Sequence, residues 1–317
     1  MKALFFNGDT LVLDSDYKKP DTSECIVRVD LAGICGTDLE ILRGYMSYNG
    51  VLGHEFVGTV VNGPTNLIGK RVVGEINVGC KHCESCKNGL QRHCPNRTVL
   101  GILNRDGAFA QFLSLPEENL HIIPDTVSLQ QAVFVEPLAA AFEILEQVNI
   151  KPEWKIAIVG DGRLAQLISR VMKLKSKNIF CFGKHEDKLK KLQALDISTS
   201  SEITTSDEKC FDLVIEATGR ESGFLDSLKL VKPRGNVILK STIASKNKLD
   251  LSPAVVHEIT FIGSRCGPFK PAIDALATGV IQTDDLIDSE YTIDNYDKAF
   301  KRASEPDSLK VLLRPNQ

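Results

Sequence analysis

Lys155-Ile156-Ala157-Ile158-Val159-Gly160-Asp161-Gly162-Arg163-Leu164-Ala165 is the stretch whose reading decides the fold. Ile156 to Val159 is apolar throughout, as a strand buried on both faces would be. Gly160-Asp161-Gly162 turns the chain, and Leu164 to Lys175 has the periodicity of a helix. Gly160, Gly162 and Ala165 fit the pattern G-x-G-x-x-G/A between strand and helix. The first glycine permits the tight turn, the second lets the backbone approach a pyrophosphate, and the small third residue lets the helix pack on the strand. The free N–H groups at the helix start then face the phosphates.

Downstream, Asn178–Phe182, Phe211–Ile215, Asn236–Leu239 and Ile259–Ile262 read as further strands. Glu186–Leu195 and Phe224–Val231 read as helices, as does Leu138–Val148 just upstream. Alternation of this kind predicts an α/β unit with a parallel sheet covered by helices on both faces. Asp196 to Lys209, rich in Ser and Thr, carries no clear pattern. A dinucleotide site that takes NAD usually has an acid after the second strand for the ribose 2′-OH. Here the strand ends Phe182-Gly183-Lys184-His185, with basic Lys184 and His185 in that place. The expectation is therefore NADP(H) in preference to NAD(H).

Residues 1 to about 138 read differently. Cys25–Val29, Phe56–Val61, Lys70–Gly74 and Ala110–Leu115 are short strand-like runs separated by Gly, Pro, Asn and Asp. A polar loop interrupts them with Cys80, Cys83, Cys86 and Cys94. Four thiolates this close can close a tetrahedral shell around one zinc ion, with no position left for chemistry. Near the C-terminus, Pro271 to Thr278 reads as a helix.

The chain has 317 residues, net charge −3, 43% hydrophobic and 25% charged residues. Such a length suggests two domains. The slightly acidic balance gives no electrostatic reason to expect nucleic acid or an anionic membrane as partner. No apolar run approaches the roughly 20 residues needed to span a bilayer, and Met1 to Gly8 is too soon polar for a signal peptide, so a cytoplasmic setting is expected. Nine cysteines, an odd count, do not read as a disulfide framework. Cys25, Cys181 and Cys210 lie in apolar surroundings and read as small buried hydrophobes.

Three further places carry ligand-type residues: Cys35 in Gly33-Ile34-Cys35-Gly36-Thr37-Asp38, His54 and Glu55 in Leu52-Gly53-His54-Glu55, and Glu136 in Val135-Glu136-Pro137-Leu138. Taken singly, each has a plain structural reading. Together with the cysteine loop, Asp106-Gly107-Ala108-Phe109-Ala110, Ile123-Pro124, the turn at Gly160 and Glu216-Ala217-Thr218-Gly219, their order resembles the zinc-dependent medium-chain alcohol dehydrogenases over nearly the whole chain. The Glu136-Pro137-Leu138 form is similar to the polyol, threonine and glucose dehydrogenase branch.

The resemblance implies a GroES-like β-rich catalytic domain (1–138, with the zinc lobe at 79–95), a Rossmann doubly wound domain (139–269), and a return to the catalytic domain (270–317). It implies two zinc ions: a structural one on the four cysteines, and a catalytic one on Cys35, His54 and either Glu55 or Glu136. Asp38 would orient His54, and Thr37 would take the alcohol proton. Gly160, Gly162, Arg163, Leu164, Ala165, Lys184, His185, Thr218 and Gly219 would hold the cofactor. The implied reaction passes hydride between a small alcohol or polyol, or the matching carbonyl, and the nicotinamide. The implied assembly is a homodimer or homotetramer. The chain departs from the family at Glu40, where some members have a relay His, and at Arg163, where many have a small residue. Tyr45, Tyr48, Arg265 and Cys266 are candidate pocket residues by position. A zinc-ribbon binding module and a zinc-free quinone or enone reductase are the alternatives; Cys35, His54 and Glu136 argue against the second.

Overall fold

The computed structural model describes residues 1–241 and 250–316. The chain divides into two compact units, Met1–Glu136 with Phe269–Gln317, and Pro137–Pro268. The helix Val135–Gln147 runs across the boundary.

The second unit is built on a parallel sheet of six strands. Their order is Ser198–Ser200, Ile179–Phe182, Ile156–Val159, Phe211–Glu216, Val231–Leu239, Thr260–Gly263. In sequence order this is 3-2-1-4-5-6, the arrangement of dinucleotide-binding sheets. The order reverses beside Ile156–Val159, whose last residue pairs with Phe182 on one side and Glu216 on the other. That places the Gly160 turn at the switch point, where ligands bind in open α/β sheets. The sheet is sealed by Ala157, Val159, Phe182, Phe211, Val214, Leu230, Val231 and Val237. Phe182 meets Phe211 edge-on, ring centroids 5.9 Å apart. The helix Arg163–Lys173 buries Ala165, Leu167, Ile168, Val171 and Met172.

Two differences from the sequence reading have physical causes. The stretch Asp196–Lys209 contains a short edge strand, Ser198–Ser200, paired to Phe180–Phe182. An edge strand of Ser and Thr carries no apolar signal. The strand expected from Asn236 begins at Val231, where Val231 pairs with Phe211 before a register shift.

The first unit holds a mostly antiparallel sheet in the order Leu120–Ile122, Arg71–Gly74, Glu55–Asn62, Cys25–Gly33, Lys310–Arg314, Ile287–Thr292, with Phe112–Leu115 also on Cys25–Gly33. Ala3–Phe6 and Leu11–Asp14, which the sequence reading missed, form a hairpin joined by Gly50–Val51. Lys310–Arg314, also missed, lies between strands from opposite ends of the chain: antiparallel to Cys25–Gly33 and parallel to Ile287–Thr292. Gly33 consequently pairs with Glu55 on one side and Leu312 on the other. No helix among the described residues is long and apolar enough to cross a membrane.

Candidate metal centres and dinucleotide site

Cys35, His54 and Glu55 come together in the first unit, each offering a ligand atom within 4.8 Å of the others. Cys35 ends the Cys25–Gly33 strand region and starts the helix Gly36–Ile41. Asp38, in the first turn of that helix, is fully buried. Its carboxylate accepts the amide of Cys35 at 2.8 Å and that of Gly53 at 3.2 Å. It also stands 3.4 Å from Nδ1 of His54, close enough to orient the ring by charge, though too long for a good hydrogen bond. With Nδ1 turned to Asp38, Nε2 is the ring nitrogen that could be offered to a metal. Burial would push His54 down; the Asp38 carboxylate and the Cys35 sulfur outweigh it and hold the imidazole well above its ordinary value. Gly53 has φ +94°, and a Cβ there would lie 2.6 Å from the Phe109 ring. Only glycine delivers His54 here. Thr37 Oγ1 lies 3.8 Å from the Cys35 sulfur, within the same group.

Glu55 has a second partner, which the sequence reading missed. Lys310 pairs with it through Nζ and Oε2, at 2% and 1% side-chain exposure. The ammonium also stands 5.7 Å from the centroid of Phe134. The pair reaches across the strand between them because Gly33 has no side chain: a Cβ there would meet Glu55 Oε2 at 2.7 Å and Lys310 Cδ at 3.2 Å. One signal was available, a lone cation in the apolar run Leu309-Lys310-Val311-Leu312-Leu313. Glu136 opens the helix Val135–Gln147 and is not one of the three that converge within 4.8 Å.

Cys80, Cys83, Cys86 and Cys94 converge in the same way, all four sulfurs within 4.8 Å. Gly79 makes room, since a Cβ there would lie 2.8 Å from the Cys86 sulfur. The amides of His82 and Cys83 draw the Cys80 thiol down to about 6. Four sulfurs this close are the donor set that a closed zinc site would use. Of the remaining cysteines, Cys25 and Cys181 are buried, and burial pushes Cys181 up to about 12. Tyr48 does not line a pocket: it is 5% exposed, its hydroxyl 2.9 Å and 2.8 Å from the carbonyls of Val51 and Arg105.

In the second unit, Gly160 takes φ +116° and Gly162 faces open space, with nothing within 4 Å of a Cβ built there. Arg163, Leu164 and Ala165 open the helix that follows. This is a cradle a pyrophosphate fits. Glu216 organises the neighbouring strand end, accepting the amides of Thr218 at 2.7 Å and Gly219 at 3.2 Å. An acid does reach Lys184 and His185, though not from the end of the second strand. Asp161, from the glycine turn itself, accepts the amides of Lys184 at 2.6 Å and His185 at 2.7 Å, and its carboxylate lies 3.0 Å from the His185 ring nitrogen Nδ1. The sequence reading missed it because it occupies a variable position of the glycine pattern.

Residues 21–125 match the family model of the alcohol dehydrogenase GroES-like domain. D-arabinitol dehydrogenase 1 of Uromyces fabae is 26% identical, the alignment covering 100% of this chain and 97% of that protein. The NADH complex of the alcohol dehydrogenase rspB from Escherichia coli CFT073 superposes with TM-score 0.90 at 26% identity over 99% of both chains. A protein from Sinorhizobium meliloti 1021 bound to NADP does so with TM-score 0.89 at 25% identity, again over 99% of both. Fold and relatives together define an oxidoreductase of the alcohol dehydrogenase class. The GroES-like domain match and these relatives support a zinc-type medium-chain alcohol dehydrogenase of the polyol branch.

Proposed function

We propose that the chain is a cytoplasmic polyol dehydrogenase, active as a homodimer or homotetramer, that uses a nicotinamide dinucleotide and two zinc ions. The observation that carries this reading is the convergence of Cys35, His54 and Glu55, distant in sequence, within 4.8 Å in a chain that also holds a dinucleotide turn. Relatives aligned over nearly the whole of both chains act on D-arabinitol and sorbitol by their names, which supports a small polyol as substrate.

Cys35 and His54 would hold the catalytic zinc with one carboxylate, Glu55 or Glu136. A zinc ion in such a set supplies Lewis acidity that lowers the pKa of an alcohol. Lys310 already neutralises Glu55, which supports Glu136 as the resting carboxylate and Glu55 as the alternative. Asp38 fixes the His54 ring. Thr37, beside the Cys35 sulfur, is placed to take the proton of the substrate hydroxyl. A bound nicotinamide would supply the hydride acceptor or donor. Gly160, Gly162, Arg163, Leu164 and Ala165 would seat its pyrophosphate, Thr218 and Gly219 would border it, and Lys184 and His185 would lie at the ribose corner. The four cysteines of the lobe would hold the second zinc, bracing the loop without entering the chemistry.

The test is metal analysis of the purified chain, joined to a panel of polyols, sugars, amino alcohols and aldehydes with both cofactors. Two zinc ions and turnover of at least one polyol are expected. A chain that holds no zinc and turns over none of the panel refutes the reading.

A further inference from the structure

We infer that Asp161 is the residue that selects between the two dinucleotides, and that it selects NAD(H). The inference rests on the dinucleotide reading above and adds to it the ribose end of the ligand.

The side chain that reads the adenosine ribose ordinarily comes from the end of the second strand. In this chain that strand ends at Phe182, and the next residue is glycine. A Cβ on Gly183 would lie 2.5 Å from Asp161 Cβ, 2.6 Å from Oδ2 and 2.8 Å from Cγ. The side chain of Asp161 therefore fills the volume that an acid at 183 would use. The carboxylate has come to the ribose corner from the glycine turn, and its place on the second strand has been vacated to admit it.

Once there, it is fixed and charged. Asp161 is 6% exposed. Burial alone would push its carboxyl up; the amide and ring of His185 and the amide of Lys184 outweigh this and hold it below the ordinary range. Oδ2 takes both amides and shares the His185 ring nitrogen at 3.0 Å, while Oδ1 has, among the described residues, only that ring nitrogen, also at 3.0 Å. A carboxylate oxygen can accept about two hydrogen bonds, so Oδ1 keeps a site for a ribose hydroxyl.

The same geometry works against a 2′-phosphate. The two backbone N–H groups that could cradle it are already donating to Asp161. The phosphate would sit against a buried anion, while Lys184 lies exposed. Like charges a few ångströms apart at a partly screened site correspond to about 10- to 100-fold in affinity. Of the basic pair Lys184–His185, which in the sequence favours NADP(H), His185 is committed through its ring, and both residues are committed through their amides.

Direct titration of the purified protein with NADH and with NADPH, followed by calorimetry or by cofactor fluorescence, tests this without turnover. The parent is expected to bind NADH about 10-fold or more tightly than NADPH. Asp161→Asn keeps the shape and an oxygen for the two amides while removing the charge; it should raise the NADPH-to-NADH affinity ratio by about 10-fold. Asp161→Ser provides the same comparison should the Asn variant fold poorly. A parent that binds NADPH as tightly as NADH, or a ratio unmoved by both substitutions, overturns the inference and leaves the dinucleotide site standing. A parent that binds neither ligand refutes the dinucleotide reading and the inference with it.

Discussion

Replacing Lys310 by Met isolates the least expected interaction in the first unit. The thioether keeps most of the lysine stem's volume, so packing against Phe134 and Gly33 is retained while the cation is lost. Glu55, 1% exposed, would then be a buried carboxylate with no counter-charge. Breaking a buried pair from one side costs about 3–5 kcal/mol, because the remaining ion keeps its desolvation penalty. Glu55→Gln alone strands the ammonium and should cost a comparable amount. The double variant leaves no buried charge, so its loss should be smaller than the sum of the singles by about 2 kcal/mol or more. The assay is urea unfolding of all four proteins, stripped of metal, following the transition of the first unit. Single variants that unfold like the parent, or a double variant whose loss equals the sum within about 0.5 kcal/mol, would show that the pair carries no coupling energy and that the geometric argument is wrong.

Four further outcomes follow from the site geometry. Cys35→Ser or His54→Ala should abolish turnover while dinucleotide affinity, measured by titration, stays within about threefold of the parent, because the two sites draw on separate residues. Cys83→Ser should lower zinc content by one equivalent and reduce the melting temperature with little change in the pH profile of the reaction, since a closed site contributes folding energy. Gly33→Ala should destabilise the protein by about 1–3 kcal/mol by urea unfolding, as its Cβ would collide with Glu55 Oε2 at 2.7 Å. The Asp161 carboxyl is held below its ordinary value, so its stabilising contribution is complete above about pH 4 and is lost as the pH falls further; Asp161→Asn should flatten this acid limb in melting curves between pH 5 and pH 3.

Much of this was legible in the sequence, for reasons that differ by residue. The parallel sheet announced itself because strands buried on both faces, such as Ile156–Val159, are continuous apolar runs. The cysteine lobe was legible because its ligands are close in sequence. Cys35, His54 and Glu55 could be joined only by resemblance, since no periodicity links a helix start to a strand start. Lys310 and Asp161 escaped for a different reason. Each is a charge whose meaning depends on a glycine elsewhere, Gly33 for one and Gly183 for the other, and a missing side chain leaves no pattern to read. The Ser198–Ser200 strand was invisible because an edge strand need not be apolar.

The strand Lys310–Arg314 also bears on how the protein is made. Glu55 waits 255 residues of synthesis for its partner. At ribosomal speeds that is on the order of 10 s or more. Over that interval all of Pro137–Pro268 has been synthesised, while the Cys25–Gly33 strand still lacks the neighbour that will sit beside it. The nascent chain must protect an open sheet edge and an unpaired buried acid until the Lys310–Arg314 segment arrives. A stop codon just before Lys310 would therefore leave a polypeptide with every proposed zinc ligand and the whole nucleotide unit, yet one destined for aggregation or proteolysis.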